Sequence, residues 1–148
     1  MRQVLRTAIA STLFTVICSV SGAEIEILGA EATKKLNLPF SEAVSVGDML
    51  YLSGQIGNKP GELRVVEGGI QAETSQTMKN IFRILEKYGS SAEKIVKCTI
   101  FLADMNEWND MNVAYIEALG NHRPARSALG ASGLALNSKV EIECLAVR

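Results

Sequence analysis

The residues best suited to chemistry lie near the carboxyl end of the chain. Arg126 stands two residues after Pro124 in an otherwise small and apolar run, Pro124-Ala125-Arg126-Ser127. An arginine held in this way at the start of a strand is a rigid, permanently charged fork that fits a carboxylate through two parallel hydrogen bonds. The pattern predicts a binding site for a small acid, and a structural ion pair at a subunit interface is the alternative.

Glu141 and Glu143 follow on one face of the last predicted strand. A hairpin centred near Ala135 is expected to bring Arg126 opposite a residue between Glu141 and Cys144. A carboxylate close to the arginine but not neutralised by it is able to hold or activate a water molecule. The alternative is that both glutamates are ordinary solvated side chains of a sheet edge.

Three further residues are weaker candidates for binding. Ser53 ends a strand beside the flexible Gly54, an arrangement that brings backbone close to a ligand. Asn112 is placed to orient a ligand from the second long helix, and Phe40 to form an aromatic wall. A strand terminus, a helix-surface amide and a core aromatic explain the three equally well.

Several functional classes lack the residues they need. His122 is the only histidine, so neither a histidine-based metal cluster nor a Ser-His-Asp triad can be assembled. The chain has no Gly-rich phosphate loop and no CxxC pair. The formal net charge of −1 does not favour nucleic acid as a partner.

The first 23 residues have the pattern of a secretory signal peptide. Residues 1–6 carry two arginines and no acid, residues 7–20 are almost wholly apolar, and small residues fill positions 21–23. We expect cleavage after Ala23 and export to the periplasm or the medium, which leaves residues 24–148 as one domain. An incorrectly assigned start or an uncleaved membrane tether is the alternative.

The remaining chain alternates between strand and helix patterns, which predicts an α+β fold with two helices on one face of a mixed sheet. No helix is predicted in the polar stretch that runs to Asn37. The predicted elements are strand 24–28, hairpin 42–46 and 49–55, a helix from Ile70 to Gly89, strand 95–103, helix 106–119, and a closing strand pair 125–132 and 139–147.

The strands are apolar on both faces. Strict alternation in strand 95–103 places Val96, Cys98 and Ile100 on one face and Ile95 on the other. Two helices cover only one face, so a second copy of the chain is the natural cover for the other, and we expect a homo-oligomer.

Cys98 and Cys144 fall inside these strands. They are expected to be buried free thiols, although they could pair if the two strands are neighbours.

Five segments follow one another in order along the chain. They are Leu38-Pro39-Phe40-Ser41-Glu42-Ala43, Leu52-Ser53-Gly54-Gln55-Ile56, residues 96–105, Arg123-Pro124-Ala125-Arg126-Ser127 and Val140-Glu141-Ile142-Glu143. Together these segments resemble the Rid family, the reactive intermediate deaminases of YjgF type. The resemblance runs from about Leu38 to the carboxyl terminus, nearly the whole mature chain.

The resemblance implies a chorismate-mutase-like protomer in a homotrimer, with a central barrel and sites in the clefts between subunits. It implies hydrolysis of 2-imino or enamino acids to 2-oxo acids and ammonia, without metal or organic cofactor. Arg126 matches the family's carboxylate-binding arginine, and Glu141 matches the acid that positions the attacking water. Ser53, Asn112 and the backbone around Ala128 match residues that line the pocket.

Two features depart from the family pattern. Phe40 stands where many deaminating members have a tyrosine, so the hydrogen bond of that hydroxyl is absent while the aromatic wall remains. Export is the second departure, because the enamines associated with the family arise in the cytoplasm.

A non-catalytic trimer that binds small acids or protects other proteins is the alternative function, and a mutase acting on a cyclic dicarboxylate is a more distant one.

Overall fold

A seven-stranded mixed sheet carries the two long helices on one of its faces in the computed structural model, which describes residues 22–148. Most of the predicted signal peptide, with Cys18, therefore lies outside the described residues. The strands are β1 Ile25–Leu28, β2 Ala43–Val46, β3 Met49–Leu52, β4 Gln55–Ile56, β5 Ile95–Leu102, β6 Ala125–Gly130 and β7 Val140–Val147. The helices are α1 Ala30–Lys35, α2 Gly69–Lys87 and α3 Trp108–Leu119.

The predicted α+β class is confirmed, but the predicted closing hairpin is wrong. The strands run in the order β1-β2-β3-β7-β5-β6, and β4 also pairs with β7. Because β5 lies between β6 and β7, these two strands never pair. The chain leaves β5 through the helix α3, and such a crossover returns a strand parallel to the one it left. The loop that follows then crosses to the other side of β5.

Helix α2 buries an apolar stripe against the sheet. Met78, Ile81 and Leu85 are fully buried there, and the helix ends at Lys87, two residues before Gly89. Tyr88 caps this end through backbone hydrogen bonds to Ile84 and Leu85, and the positive φ of Gly89 then turns the chain out of the helix. The helical period therefore located this element to within about two residues.

Two local predictions are corrected. A register shift between Ile95 and Lys97 buries Ile95 and leaves Val96 46% exposed, so strict alternation fails at the start of β5. The stretch predicted to lack a helix contains α1, which is only six residues long. A single turn and a half is too short to show a helical period in sequence.

The face of the sheet opposite the helices is open and apolar, as predicted. Ile25 and Ile27 of β1 are 68% and 66% exposed, and Tyr51 and Val147 extend the same surface across β3 and β7. No helix within residues 22–148 is long and apolar enough to cross a bilayer.

Cys98 and Cys144 form a disulfide, so the expectation of free thiols is wrong. The two residues are directly opposed in the antiparallel pair β5–β7, with Cα atoms 4.1 Å apart. Each strand taken alone indicates only a small buried residue. The bond depends on which strands are neighbours and in which register, and a sequence pattern does not determine either.

Reduction of this disulfide should destabilise the protein. The bond closes a loop with a sequence separation of 46 residues, and chain entropy then predicts a loss of about 4 kcal/mol in the free energy of unfolding. The measurement is a urea titration at one protein concentration, with and without a thiol reductant. The double variant Cys98→Ala/Cys144→Ala is the control, because its midpoint should not respond to the reductant. An unchanged wild-type midpoint would contradict the prediction.

Candidate functional site

Arg126 lies on β6 and extends over α3. Its Nη1 donates a hydrogen bond to Oδ1 of Asn112 at 2.5 Å. The guanidinium carbon lies 5.3 Å from the ring centroid of Tyr115 and 5.9 Å from that of Trp108, so two aromatic rings help to hold the cation. No acidic side chain within residues 22–148 pairs with Arg126. The remaining N–H donors of the fork are available for an anionic ligand.

Tyr115 and Trp108 belong to this group, although the sequence analysis placed them only within the predicted helix 106–119. Tyr115 is 5% exposed, and its hydroxyl has no hydrogen-bond partner among the described residues. Burial raises the pKa of this hydroxyl, against the opposing charges of Arg126 and Arg123. The spacing of Trp108, Asn112 and Tyr115, at i, i+4 and i+7, was the signal that could have grouped them.

Ala128 lies two residues beyond Arg126 on the same face of β6 and packs against the core. Because β6 is the last strand of the sheet, the peptide groups on its outer side have no ladder partner among the described strands. The backbone beside Ala128 is therefore open to a ligand that Arg126 holds.

Glu141 lies on β7 and turns its carboxylate over Gly54. A Cβ added to Gly54 would lie 2.0 Å from Oε1 of Glu141, so only glycine leaves room for the carboxylate there. The carboxylate makes no hydrogen bond or ion pair with any residue that the structure describes. Burial raises the pKa of Glu141, and the negative charge of Glu143 raises it further. Such a group is suited to accept a proton from a water molecule.

Ser53 and Phe40 lie on the Glu141 side. The Ser53 hydroxyl donates a hydrogen bond to the backbone oxygen of Ser41 at 2.7 Å, which fixes the segment that follows Phe40. The Phe40 ring is 48% exposed and lines a cavity of about 490 Å³ together with Gly54 and Glu141. Ser53 thus holds the neighbouring backbone of Ser41 in place, while the Phe40 ring forms one wall of the cavity.

The structure divides the predicted site into two groups. Arg126 pairs with Cys98 of β5, whereas Glu141 pairs with Phe101 of the same strand, three positions further along. Ordinary strand geometry then separates the two Cα atoms by roughly 14 Å. Arg126 shares the helix-covered face with buried Cys98, and Glu141 lies on the open face, so the expected opposition of Arg126 and Glu141 within one hairpin is wrong.

The described residues contain no cluster of side chains that is suited to bind a metal ion. Within residues 22–148, no group of three or more histidine, cysteine, aspartate or glutamate side chains is arranged to hold a metal ion. The site is therefore described by its arginine, its carboxylate and its aromatic walls.

Comparisons with known proteins identify close relatives. The family model described as endoribonuclease L-PSP matches residues 32–148. Human 2-iminobutanoate/2-iminopropanoate deaminase is 38% identical over 110 residues, which cover 74% of this chain and 80% of the human protein. A RutC family protein of Pyrococcus horikoshii is 37% identical over 83% of this chain and 98% of its own. The crystal structure of the YjgF gene product of E. coli superposes with a TM-score of 0.70 at 34% identity, covering 74% of this chain and 88% of that one.

The Glu143→Gln variant should lower the pKa of Glu141. Removing the neighbouring negative charge makes the ionised form of Glu141 less unfavourable, while the contribution of burial remains. The measurement is a carboxyl ¹³C NMR titration of Glu141 in the wild type and the variant. Glu117→Gln, a substitution at an exposed position of α3, is the control and should leave the pKa of Glu141 unchanged. An equal titration in wild type and Glu143→Gln would show that burial alone sets the pKa.

Proposed function

Since the chain belongs to the Rid family of reactive intermediate deaminases, we propose that it hydrolyses 2-imino or enamino acids to 2-oxo acids and ammonia. The observation that carries the proposal concerns Arg126, which is fixed by Asn112 and two aromatic rings but has no acidic partner in the part of the chain that the structure describes. An arginine in that state is ready to bind the carboxylate of an imino acid.

The reaction makes few demands on the protein, because the imine carbon is already electrophilic. Arg126 holds the substrate carboxylate, and Glu141 accepts a proton from water as the water oxygen attacks the carbon of the C=N bond. The imine nitrogen carries a proton from solvent before the attack, so the electron pair of the C=N π bond moves to that nitrogen and the product of this step is a neutral carbinolamine. The proton then passes from Glu141 to the nitrogen, which becomes an ammonium leaving group. As the C–N bond breaks and ammonia leaves, Glu141 takes the proton of the carbinolamine hydroxyl, the C=O bond of the 2-oxo acid forms, and Glu141 returns its proton to solvent.

Arg126 and Glu141 act on one substrate only if they come from different subunits. They lie on opposite faces of the protomer, and the open face that carries Glu141 exposes a broad apolar surface. We therefore propose a homotrimer with the open faces directed inward and three sites between subunits, as the family resemblance implies. Burial of Ile25, Ile27 and Tyr51 against a copy supplies the apolar driving force.

Phe40 gives the site an aromatic wall without a hydroxyl. Half of its surface is exposed at the mouth of the cavity that reaches Glu141. A tyrosine at this position would offer the substrate one more hydrogen bond. We therefore assign carboxylate recognition to Arg126, with Asn112 as its orienting partner and the backbone near Ala128 as an additional contact.

We also propose that the protein is exported. The pattern of residues 1–23 supports this, as does the Cys98–Cys144 disulfide, because such bonds persist mainly in oxidising compartments. An exported member would act on imines formed outside the cytoplasm.

RNA is a less suitable substrate, although the matching family model is described as an endoribonuclease. The formal net charge is −1, and removal of the two arginines in residues 1–23 makes it −3, from 13 basic against 16 acidic residues. Polyanion binding depends on clustered basic charge.

Arg126→Ala should reduce kcat/KM for imine hydrolysis by about 100-fold, because two charge-assisted hydrogen bonds to the substrate carboxylate are lost. The measurement is the acceleration of ammonia release from freshly generated 2-imino acids by the mature protein. Arg123→Ala is the matched control, because Arg123 is exposed and the hydrogen bonds of its side chain to described residues go to the backbone oxygens of His122 and Gly120. Full activity of Arg126→Ala, or binding of 2-oxo acids without turnover by the wild type, would sink the proposal, and the second result would favour the non-catalytic alternative.

Mixed trimers of Arg126→Ala and Glu141→Gln should recover activity that neither variant has alone. If each site takes Arg126 from one subunit and Glu141 from the next, random mixing rebuilds about a quarter of the sites. The measurement is the specific activity of the co-expressed variants, with light scattering to establish the trimer. The double variant Arg126→Ala/Glu141→Gln mixed with wild type is the control for subunit exchange. Absence of recovery in proven mixed trimers would show that the two residues do not meet across a subunit boundary.

A further inference from the structure

The cavity beside Glu141 is much larger than a small imino acid requires. It encloses about 490 Å³ and lies at the sheet edge beyond β4, between α2, the segment from α1 to β2 and the loop before β7. Pockets of roughly 300–1,000 Å³ hold drug-sized ligands. An imino acid of three or four carbons would fill only a small part of this volume.

The walls of the cavity are mainly apolar, and several of them are exposed. Leu36, Phe40, Leu63 and Leu136 are between 44% and 72% exposed, although each is a large hydrophobic side chain. Leu38 and Ile84 complete the apolar lining. Four exposed large apolar side chains around one hollow are typical of a ligand site rather than of an ordinary surface.

Within residues 22–148, every charged residue that lines the cavity except Glu141 is paired with an oppositely charged group. Glu42 accepts hydrogen bonds from Tyr88 Oη at 2.6 Å and Lys87 Nζ at 2.5 Å, and Arg83 lies 4.0 Å from its other oxygen. Burial would raise the pKa of Glu42, but these hydrogen bonds and positive charges outweigh it and lower the pKa below its ordinary value.

Glu62, the other acid of the lining, forms an ion pair with Arg64 at 3.3 Å. Beyond Glu141 the cavity therefore offers apolar contact and little net charge. A second carboxylate or an ammonium group on the substrate would lose water there without gaining a free partner of opposite charge.

We propose that this cavity receives the side chain of the substrate, so that the preferred substrates are 2-imino acids with a bulky apolar side chain, of the size derived from leucine or phenylalanine. The inference rests on the proposed deaminase function. Glu141 at one end of the cavity places water at the imine carbon, while the side chain extends toward Leu38 and Ile84. Each methylene that enters such a pocket raises kcat/KM by about tenfold or more.

The test compares imines generated in situ by an amino-acid oxidase from alanine, leucine, phenylalanine, glutamate and arginine. We expect kcat/KM for the leucine- and phenylalanine-derived imines to exceed that for the alanine-derived imine at least tenfold. Ala135→Phe places a ring in the cavity from an exposed position and should lower the leucine-to-alanine ratio about tenfold. Ser132→Phe is the matched control, because Ser132 lies exposed in the same loop but does not line the cavity, and it should keep the wild-type ratio.

The outcomes separate this inference from the proposed function. If no imine is hydrolysed faster with the protein, the deaminase function fails and the inference fails with it. If the alanine-, glutamate- or arginine-derived imine is the best substrate, the protein is a deaminase and the inference is overturned. An unchanged ratio in Ala135→Phe, with circular dichroism showing a folded protein, would also overturn it.

Discussion

The central position of β5, between β6 and β7, is the constraint on which the site depends. The pairing with β6 is parallel and runs through α3, so Arg126 faces the helix that supplies Asn112 and Tyr115. The pairing with β7 is antiparallel, and its register places Glu141 on the opposite face. Strand β5 thus positions both Arg126 and Glu141 and keeps them apart. The two residues lie on opposite faces of the protomer, and strand geometry separates their Cα atoms by roughly 14 Å.

In the proposed assembly, a second copy of the chain would both cover the open apolar face and complete the site. A protein that exposes Ile25, Ile27 and Tyr51 lowers its free energy by covering them, and a second copy is the cover that is always present at matching concentration. If that copy also brings its Arg126 to the neighbour's Glu141, assembly and activity become coupled. Changes far from the chemistry, in the apolar surface of β1 and β3, would then reduce catalysis by weakening the contact between subunits.

Sequence patterns predicted the helices and strands themselves well, but they did not predict which strands lie next to each other. The helical period of α2 and the apolar runs of β5 and β7 reflect burial of each element against the core, which is readable from one segment alone. The order β7-β5-β6, the Cys98–Cys144 bond and the separation of Arg126 from Glu141 all depend on which segments pair and in which register. The individual site residues could be proposed from their types and from family resemblance. Their division between two faces could not.

The separation of Arg126 from Glu141 also preserves the chemistry of each group. Had the two been paired across a hairpin, the guanidinium would have stabilised the carboxylate, lowered its pKa and reduced its affinity for a proton. Both N–H donors of the arginine fork would then have been hydrogen-bonded to a protein carboxylate and would not have been free to bind a substrate. In the fold observed, the pKa of Glu141 is raised by burial and by Glu143. Among residues 22–148, Arg126 is held only by a neutral amide and aromatic rings. Both groups therefore retain the unsatisfied capacity, one for a proton and one for a carboxylate, that hydrolysis of an imino acid requires.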